Sequence, residues 1–211
     1  SPSATFSVAG TTASPSLAQT SPAAQPQAAS NVAAIEEKLE SRRKELGIPG
    51  VAMAVVHNGK IVLLKGFGNR DLAGKKPVTP DTKFAIGSAT KAFTALSVLM
   101  SQDDGKLSLD DRPQKYLPFF KMSDAETDEK ITIRDLLRHS SGLNRTDLAW
   151  ITGRLNRREV IAVAAHAKPT AKLGEKFQYQ NVMFTAAGEV VAAAQGRSWE
   201  KFTEDRIFKP L

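Results

Sequence analysis

Two apolar runs joined by an Asn-Gly pair constrain the fold of this chain more than any other feature of its sequence. Residues 50–57 and 60–68 have the length and composition of strands, and Asn58-Gly59 favours the tight turn of a β-hairpin. A lone hairpin is marginally stable in water, and the first run is apolar at nearly every position. Such a hairpin needs further strands beside it and cover on both faces.

The sequence on either side of the hairpin is predicted to be mostly helical. Apolar residues recur at helical spacing from Val32 to Leu46, and Gly47 follows as a stop signal. Thr132 begins a capping-box-like start, and no convincing strand follows residue 68. The predicted later helices are Ile133–Arg138, Arg158–Ala167, Val182–Gln195 and Ser198–Phe208. The predicted fold class is α/β, as a layered α+β arrangement.

The first 30 residues differ in composition from the rest of the chain. They carry no charge and few large apolar side chains, so they cannot bury enough surface to offset their ordering entropy. We expect residues 1–30 to be a disordered leader or linker. They lack the regions of an intact signal peptide but are typical of a stalk left after export, which favours a periplasmic or secreted location.

Charge and cysteine content exclude several classes of protein. The formal net charge of +7 lies entirely on residues 31–211, where basic and acidic residues are mixed. The densest basic cluster, within residues 154–158, has no interleaved aromatic residue, which argues against a nucleic-acid interface. No apolar run approaches the roughly 18–20 residues of a transmembrane helix. The absence of cysteine excludes disulfides and cysteine metal sites.

The segment from Phe84 to Thr94 carries the first candidate catalytic residues. Ser88 follows a glycine and precedes a helical pattern, which places it at a helix N-terminus where the helix dipole favours negative charge. Lys91 lies nearly one turn on, so both side chains project from the same face. A serine needs a base to become a nucleophile, and a lysine can serve if its pKa is lowered. A solvated lysine near an ordinary N-cap serine would give the same pattern.

A second candidate pair, Tyr179 and Asn181, lies between a glycine turn and an apolar helix. A phenol can accept and relay a proton, and an amide both donates and accepts hydrogen bonds. At a spacing of two in an extended loop, both side chains could face one cavity. The alternative is structural: a packed tyrosine, and an asparagine that caps the following helix.

Together the two motifs change the interpretation, because residues 31–211 resemble the superfamily of penicillin-binding proteins and class C β-lactamases, which also holds esterases and D-amino-acid peptidases. The order and spacing of the matching stretches agree. These stretches are residues 47–52 with the hairpin after them, 84–91, 131–143, 174–181 and 207–211. The resemblance implies a β-lactamase/transpeptidase-like fold, with residues 31–83 as the helix and hairpin and 84–211 as the mainly helical part.

The resemblance also implies a reaction. Ser88 would be acylated by an ester, amide or β-lactam carbonyl, and Lys91 would accept the serine proton. Tyr179 would shuttle protons, and Asn181 would bind the substrate and hold Lys91 in place. One oxyanion donor would be the backbone N–H of Ser88 and another would come from a sheet strand. Whether Lys91 or Tyr179 is the general base stays open. No metal and no organic cofactor is implied.

The sequence departs from the superfamily pattern after residue 181. No Lys-Thr-Gly or His-x-Gly motif follows Tyr-x-Asn, and the final Phe-Lys-Pro-Leu resembles a point midway through the family fold. We therefore expect an incomplete domain whose remaining strands and C-terminal helix are supplied elsewhere, for instance as a second chain. Residues 1–211 alone are expected to be inactive.

Several interpretations of function remain. An acyl-serine hydrolase of broad esterase or peptidase type is favoured over a dedicated β-lactamase, since a fold supports many substrates. The alternative from another class is a non-catalytic cell-wall peptide binder or sensor that kept the pocket. His139, in a His-Ser-Ser-Gly segment, is a tempting general base, but a helix-ending turn at Gly142 explains that segment structurally.

Overall fold

The structure is a computed structural model that describes the backbone of residues 26–211 and the side chains of residues 31–211. It divides into two compact units, one that ends at Phe84 and one that runs from Ala85 to Leu211. Most of the predicted leader, residues 1–25, lies outside the described residues. None of the helices in the described part of the chain is both long and apolar enough to cross a membrane.

The first unit contains one helix and the predicted hairpin. Helix α1 spans Pro26–Glu45, so it begins before the predicted start at Asn31. Strands β1, Gly50–His57, and β2, Lys60–Asp71, pair antiparallel. Asn58 and Gly59 between them have φ angles of 49° and 71°, the left-handed conformation that this turn requires. The two apolar runs and the Asn-Gly turn were therefore sufficient to predict the hairpin.

A third strand lies in a stretch for which the sequence predicted no strand. Strand β3 is the two-residue segment Lys76–Pro77, which pairs antiparallel with β2 to give the sheet order β1-β2-β3. The prediction of no strand after residue 68 was therefore wrong. A strand of two residues has no periodicity of its own. Its pairing depends on the approach of β2, whose Gly66 lies so close to Val78 that an added Cβ would be 2.2 Å from the Val78 carbonyl oxygen.

The second unit is a helical assembly in which one long apolar helix contacts several others. Its helices are α2 Thr90–Asp103, α3 Ala125–Lys130, α4 Ile133–Arg138, α5 Leu148–Ile151, α6 Arg157–Ala162, α7 Asn181–Gln195 and α8 Trp199–Thr203. Helix α7 packs against α2, α4, α6 and α8. Its residues Val182, Met183 and Val190 are fully buried, as are Leu136 of α4 and Phe202 of α8. The helices of this core, α2 and α7, carry or adjoin the candidate site residues.

Helix α2 buries a face of small and hydroxyl residues. Val98 and Ser97 are fully buried, and the hydroxyl of Ser97 donates to the Phe93 carbonyl oxygen at 2.8 Å. The buried hydroxyl groups are thus satisfied within the helix. Leu96 and Leu99 lie outside this face and are exposed.

The ends of the shorter helices follow local signals, with differences of a few residues. Thr132 and Asp135 form the predicted capping box at the start of α4. The helix predicted over residues 158–167 ends as a 3-10 turn at 163–165, and the helix predicted over 198–208 continues after α8 as a π-helical turn, Glu204–Phe208. Outside these helices, Leu143 forms an antiparallel bridge with Pro169.

Candidate active site

Ser88 lies in a 3-10 turn, Gly87–Ala89, that leads into α2. Gly87 has a φ of 53°, a conformation that favours glycine and that turns the chain into the helix. The Ser88 side chain is exposed at the N-terminal end of α2, where the sequence predicted it. The partial positive charge of a helix N-terminus stabilises negative charge that develops on a nearby oxygen.

Lys91 lies one turn along from Ser88 and contacts it directly. Its Nζ is 3.1 Å from the Ser88 Oγ and donates to the Oδ1 of Asn181 at 2.6 Å. The side chain is half-buried, and its Nζ lies 5.5 Å from the centroid of the Phe184 ring. These contacts hold the amine against the serine rather than in bulk water.

Tyr179 reaches the same serine from the extended segment before α7. Its hydroxyl donates to the Ser88 Oγ at 2.5 Å, and the Lys91 Nζ lies 4.7 Å from the centroid of its ring. The Lys91 ammonium, and after it the hydrogen bond to Ser88, lower the pKa of Tyr179 below its usual range. Ser88 Oγ therefore accepts hydrogen bonds from both groups that could remove its proton.

Asn181 does not cap helix α7, contrary to the structural alternative. The N-cap is Gln180, whose side-chain oxygen accepts from the Val182 N–H at 3.1 Å, and Asn181 is the first helical residue. Its amide is thus free to face the site, where the oxygen accepts from Lys91 and the nitrogen donates to Asp147 Oδ1 at 3.2 Å. The structure therefore brings together all four residues that the sequence singled out.

A carboxylate that the sequence did not single out orients Asn181. Asp147 receives the Asn181 amide on one oxygen and pairs through the other with Arg145, at 2.6 Å. An ionised carboxylate can only accept hydrogen bonds, so it takes the amide nitrogen of Asn181. The amide oxygen is then left facing the Lys91 amine. The Arg145 guanidinium lies 5.9 Å from the Tyr179 ring centroid. No local sequence pattern around residues 145–147 predicts that Asp147 orients Asn181, since the two residues are 34 positions apart.

Gln180 is a second residue that the sequence did not single out. It is almost fully buried, and its side chain joins the loop before α5 to the start of α7. Its Nε2 donates to the Asn144 carbonyl oxygen at 2.7 Å, and its Oε1 accepts from the Thr146 hydroxyl at 3.2 Å. A buried side chain with every polar group satisfied fixes the segment that carries Tyr179.

A cleft of about 390 Å³ opens beside Ser88, between helices α2 and α7. Ser88, Lys91 and Asn181 lie at its reactive end. Its wall is mostly apolar and includes Trp150, Trp199 and Gly188. A cavity of this kind, lined by aromatic side chains with a few convergent polar groups, has the usual composition of a small-molecule site.

Most of the chain matches one family model. The model is that of the beta-lactamase family, described as "Beta-lactamase", and it covers residues 34–211. This chain belongs to the beta-lactamase family. The matched range contains the four site residues, the whole second unit and the first unit from residue 34 onward.

Relatives of this beta-lactamase-family chain include proteins from Staphylococcus aureus and Bacillus subtilis. It is 36% identical over 171 residues to "Protein flp" of Staphylococcus aureus strain MW2, which covers 78% of this chain and 34% of the relative. It is 31% identical over 179 residues to the "Putative penicillin-binding protein PbpX" of Bacillus subtilis strain 168, covering 82% of this chain and 42% of the relative. The chain thus spans well under half the length of these relatives.

Solved structures of the same fold include a penicillin-binding protein homologue and a hydrolase. An octameric penicillin-binding protein homologue from Pyrococcus abyssi superposes with a TM-score of 0.77 at 32% identity, over 85% of this chain and 43% of that one. EstCE1, described as a hydrolase with promiscuous acyltransferase activity, gives a TM-score of 0.73 over 87% of this chain and 52% of that one. Its 22% identity shows the shared fold alone. The predicted β-lactamase/transpeptidase-like fold is confirmed.

Proposed function

We propose that the protein containing this chain is a serine hydrolase that forms an acyl-enzyme on Ser88 with an ester, amide or β-lactam substrate. The observation that supports this proposal most is the geometry at one atom. The Ser88 Oγ has the Lys91 Nζ at 3.1 Å and the Tyr179 hydroxyl at 2.5 Å. A serine hydroxyl beside two groups able to take its proton is the arrangement that nucleophilic catalysis needs.

The proposed first half-reaction uses these three groups. The Ser88 proton passes to the Lys91 amine or the Tyr179 phenolate while Oγ bonds to the substrate carbonyl carbon, whose oxygen becomes negative. The Ser88 backbone N–H, at the positive end of α2, is proposed as one oxyanion donor. When the tetrahedral intermediate collapses, the carbonyl re-forms, and the bond to the leaving group breaks as that group takes up the Ser88 proton, which Tyr179 delivers directly or by relay from Lys91.

The second half-reaction is the reverse, with water as the nucleophile. Tyr179 takes a proton from the water while the water oxygen bonds to the acyl carbon. The bond from that carbon to Ser88 Oγ then breaks, Oγ takes back the proton that was removed from the water, and the carboxylic acid is released. Asn181 holds Lys91 throughout and offers its amide to the substrate. The apolar cleft between α2 and α7 is proposed to receive the acyl group, and a periplasmic or secreted location remains a prediction.

Covalent labelling of the full-length protein tests this proposal. A fluorescent fluorophosphonate and a fluorescent penicillin should label the protein, and Ser88→Ala should abolish both signals. Ser108→Ala, which removes a half-buried serine outside the site, is the matched control and should label like the wild type.

Labelling that survives Ser88→Ala, or an unlabelled wild type that still turns over a p-nitrophenyl ester, would contradict the proposal. A folded wild-type protein that binds cell-wall peptides but takes neither label would favour the binder or sensor instead. Labelling by the fluorophosphonate alone would indicate an esterase rather than a penicillin-recognising enzyme.

A further inference from the structure

The segment that carries Tyr179 has no regular secondary structure of its own. It runs from a turn at Gly174 to the start of α7, and a tyrosine on such a segment needs another element to hold it. A displacement of about 1 Å in a reacting group can lower a rate by about a hundredfold. The position of the Tyr179 hydroxyl therefore depends on what fixes the backbone on either side of it.

One residue accepts hydrogen bonds from both backbone N–H groups that flank Tyr179. The N–H of Gln178 donates to the carbonyl oxygen of His139 at 2.7 Å, and the N–H of Gln180 donates to its Nδ1 at 3.0 Å. His139 thus holds the segment through its main chain on one side and its ring on the other. These two hydrogen bonds fix the backbone on both sides of Tyr179.

The imidazole of His139 also packs against the tyrosine itself. Its ring centroid lies 4.6 Å from that of Tyr179 with the planes tilted by 31°, and 4.9 Å from that of Phe184. Phe177 meets it edge-on at 5.3 Å. His139 is buried, so these contacts restrict both the rotamer of the tyrosine and the ring orientation of the histidine.

The backbone and protonation state of His139 suit this role. It ends helix α4 in the left-handed conformation, with a φ of 58°, and its N–H bonds back to the Asp135 carbonyl oxygen. Because Nδ1 accepts a hydrogen bond, the neutral ring carries its proton on Nε2. Burial, and the nearby Lys91 ammonium, lower the pKa of His139 and keep the ring in that neutral form.

We propose that His139 is a positioning residue that acts through Tyr179: its Nδ1 and carbonyl oxygen hold residues 178–180 so that the phenol meets Ser88. It is not a general base, since its Nδ1 is occupied by the Gln180 N–H. The proposal rests on the proposed serine-hydrolase function and adds a residue that the Ser-Lys-Tyr set does not contain.

Two substitutions in the full-length protein separate the hydrogen bond from the packing. His139→Asn keeps an acceptor close to the place of Nδ1 and tolerates the left-handed backbone, but loses the ring. His139→Phe keeps a ring but leaves the buried Gln180 N–H without an acceptor. Both are assayed with a p-nitrophenyl ester for kcat, KM and pH profile, beside circular dichroism and thermal unfolding.

We expect His139→Asn to keep kcat within about threefold of the wild type, and His139→Phe to lower kcat by about tenfold to a hundredfold with KM within about twofold. A displaced Tyr179 moves away from Lys91 and Arg145, so its pKa rises. The pH midpoint of the remaining His139→Phe activity should therefore shift upward, which a mere loss of stability would not cause.

A His139→Phe protein that folds and matches the wild type in kcat and pH midpoint would overturn the proposal. If His139→Phe does not fold, His139→Asn decides: retained kcat supports the proposal, and a tenfold loss at unchanged thermal stability contradicts it. Absence of Ser88 labelling in the wild type would refute the proposed function instead, so the two failures are distinguishable.

Discussion

At the scale of single residues, the hydrogen bonds around the Ser88 Oγ make the phenol of Tyr179 sensitive to its neighbour. Lys91 contributes most to the lowered pKa of Tyr179. A phenolate that takes up a proton in the reaction forms as the pH rises through that pKa. Activity that depends on it should therefore rise with pH, and should do so at a lower pH than an ordinary tyrosine would allow.

Replacement of the lysine tests this dependence. In Lys91→Met the pKa of Tyr179 returns toward its ordinary value, so the pH midpoint of kcat/KM should move upward, and kcat/KM at neutral pH should fall by about a hundredfold or more. The measurement is a pH-rate profile of the full-length protein. Lys176→Met removes the same charge from the exposed stretch before Tyr179 and should leave the midpoint in place. An unshifted midpoint in Lys91→Met would show that the phenolate is not involved.

The site residues differ in how far the sequence could predict them. Ser88 and Lys91 are one helical turn apart, so their proximity follows from local geometry. Tyr179 and Asn181 were found by spacing together with a family resemblance. Asp147 and Gln180 were missed because each acts through a partner that only the tertiary fold brings near. His139 was noticed, but its position beside Tyr179 was not, for the same reason.

At the scale of elements, the glycine at the end of the His-Ser-Ser-Gly segment supports a close backbone contact. Gly142 has a φ of 74°, and an added Cβ would lie 2.2 Å from the Ala171 carbonyl oxygen. Its own carbonyl oxygen accepts from the Thr170 N–H at 2.9 Å. This contact ties the segment after α4 to the stretch that leads toward Tyr179.

Gly142→Ala should therefore be strongly destabilising. The left-handed backbone alone costs an alanine about 1–2 kcal/mol, and the clash raises the expected loss in free energy of unfolding to about 3–5 kcal/mol. Gly153→Ala is the matched control, since Gly153 has a φ of 64° but open space around it, and it should lose only the backbone part. Equal losses in chemical denaturation would contradict the importance of the contact.

Helix α7 carries a glycine that keeps the cleft open. A Cβ at Gly188 would meet Trp199 at 3.7 Å, an ordinary contact, so Gly188→Ala should be tolerated. A longer side chain would project into the cleft, so Gly188→Leu should reduce kcat/KM for a bulky acyl ester by about tenfold relative to an acetyl ester. A series of p-nitrophenyl esters of rising acyl length measures this ratio. An unchanged ratio would show that the acyl group lies elsewhere.

Elements with a strong local signal were predicted well, and those that depend on neighbours were not. The Asn58-Gly59 hairpin and the capping box at Thr132 are specified by residues a few positions apart. The two-residue strand β3 and the π-helical turn at residues 204–208 carry no comparable signal, because each depends on how distant segments pack. The exposure of Leu96 on α2 likewise reflects which helix faces meet.

At the scale of the whole molecule, the second unit depends on one apolar core around α7. Leu136 is fully buried in this core, whereas Leu148, on a helix of the same unit, is 82% exposed. Leu136→Ala should lower the free energy of unfolding by about 2–5 kcal/mol, and Leu148→Ala should change it by less than about 0.5 kcal/mol. Urea denaturation of the full-length protein measures both. Similar values for the two variants would contradict the described core.

The tyrosine and the serine that it contacts are 91 residues apart in the chain. Loop closure over that distance requires most of the helical unit to be in place, because the entropic loss must be offset by packing along the way. A nascent or half-folded chain thus exposes Ser88 without its phenol. If Ser88 acts as proposed, acylation of Ser88 is therefore expected to reach its full rate only when folding is nearly finished.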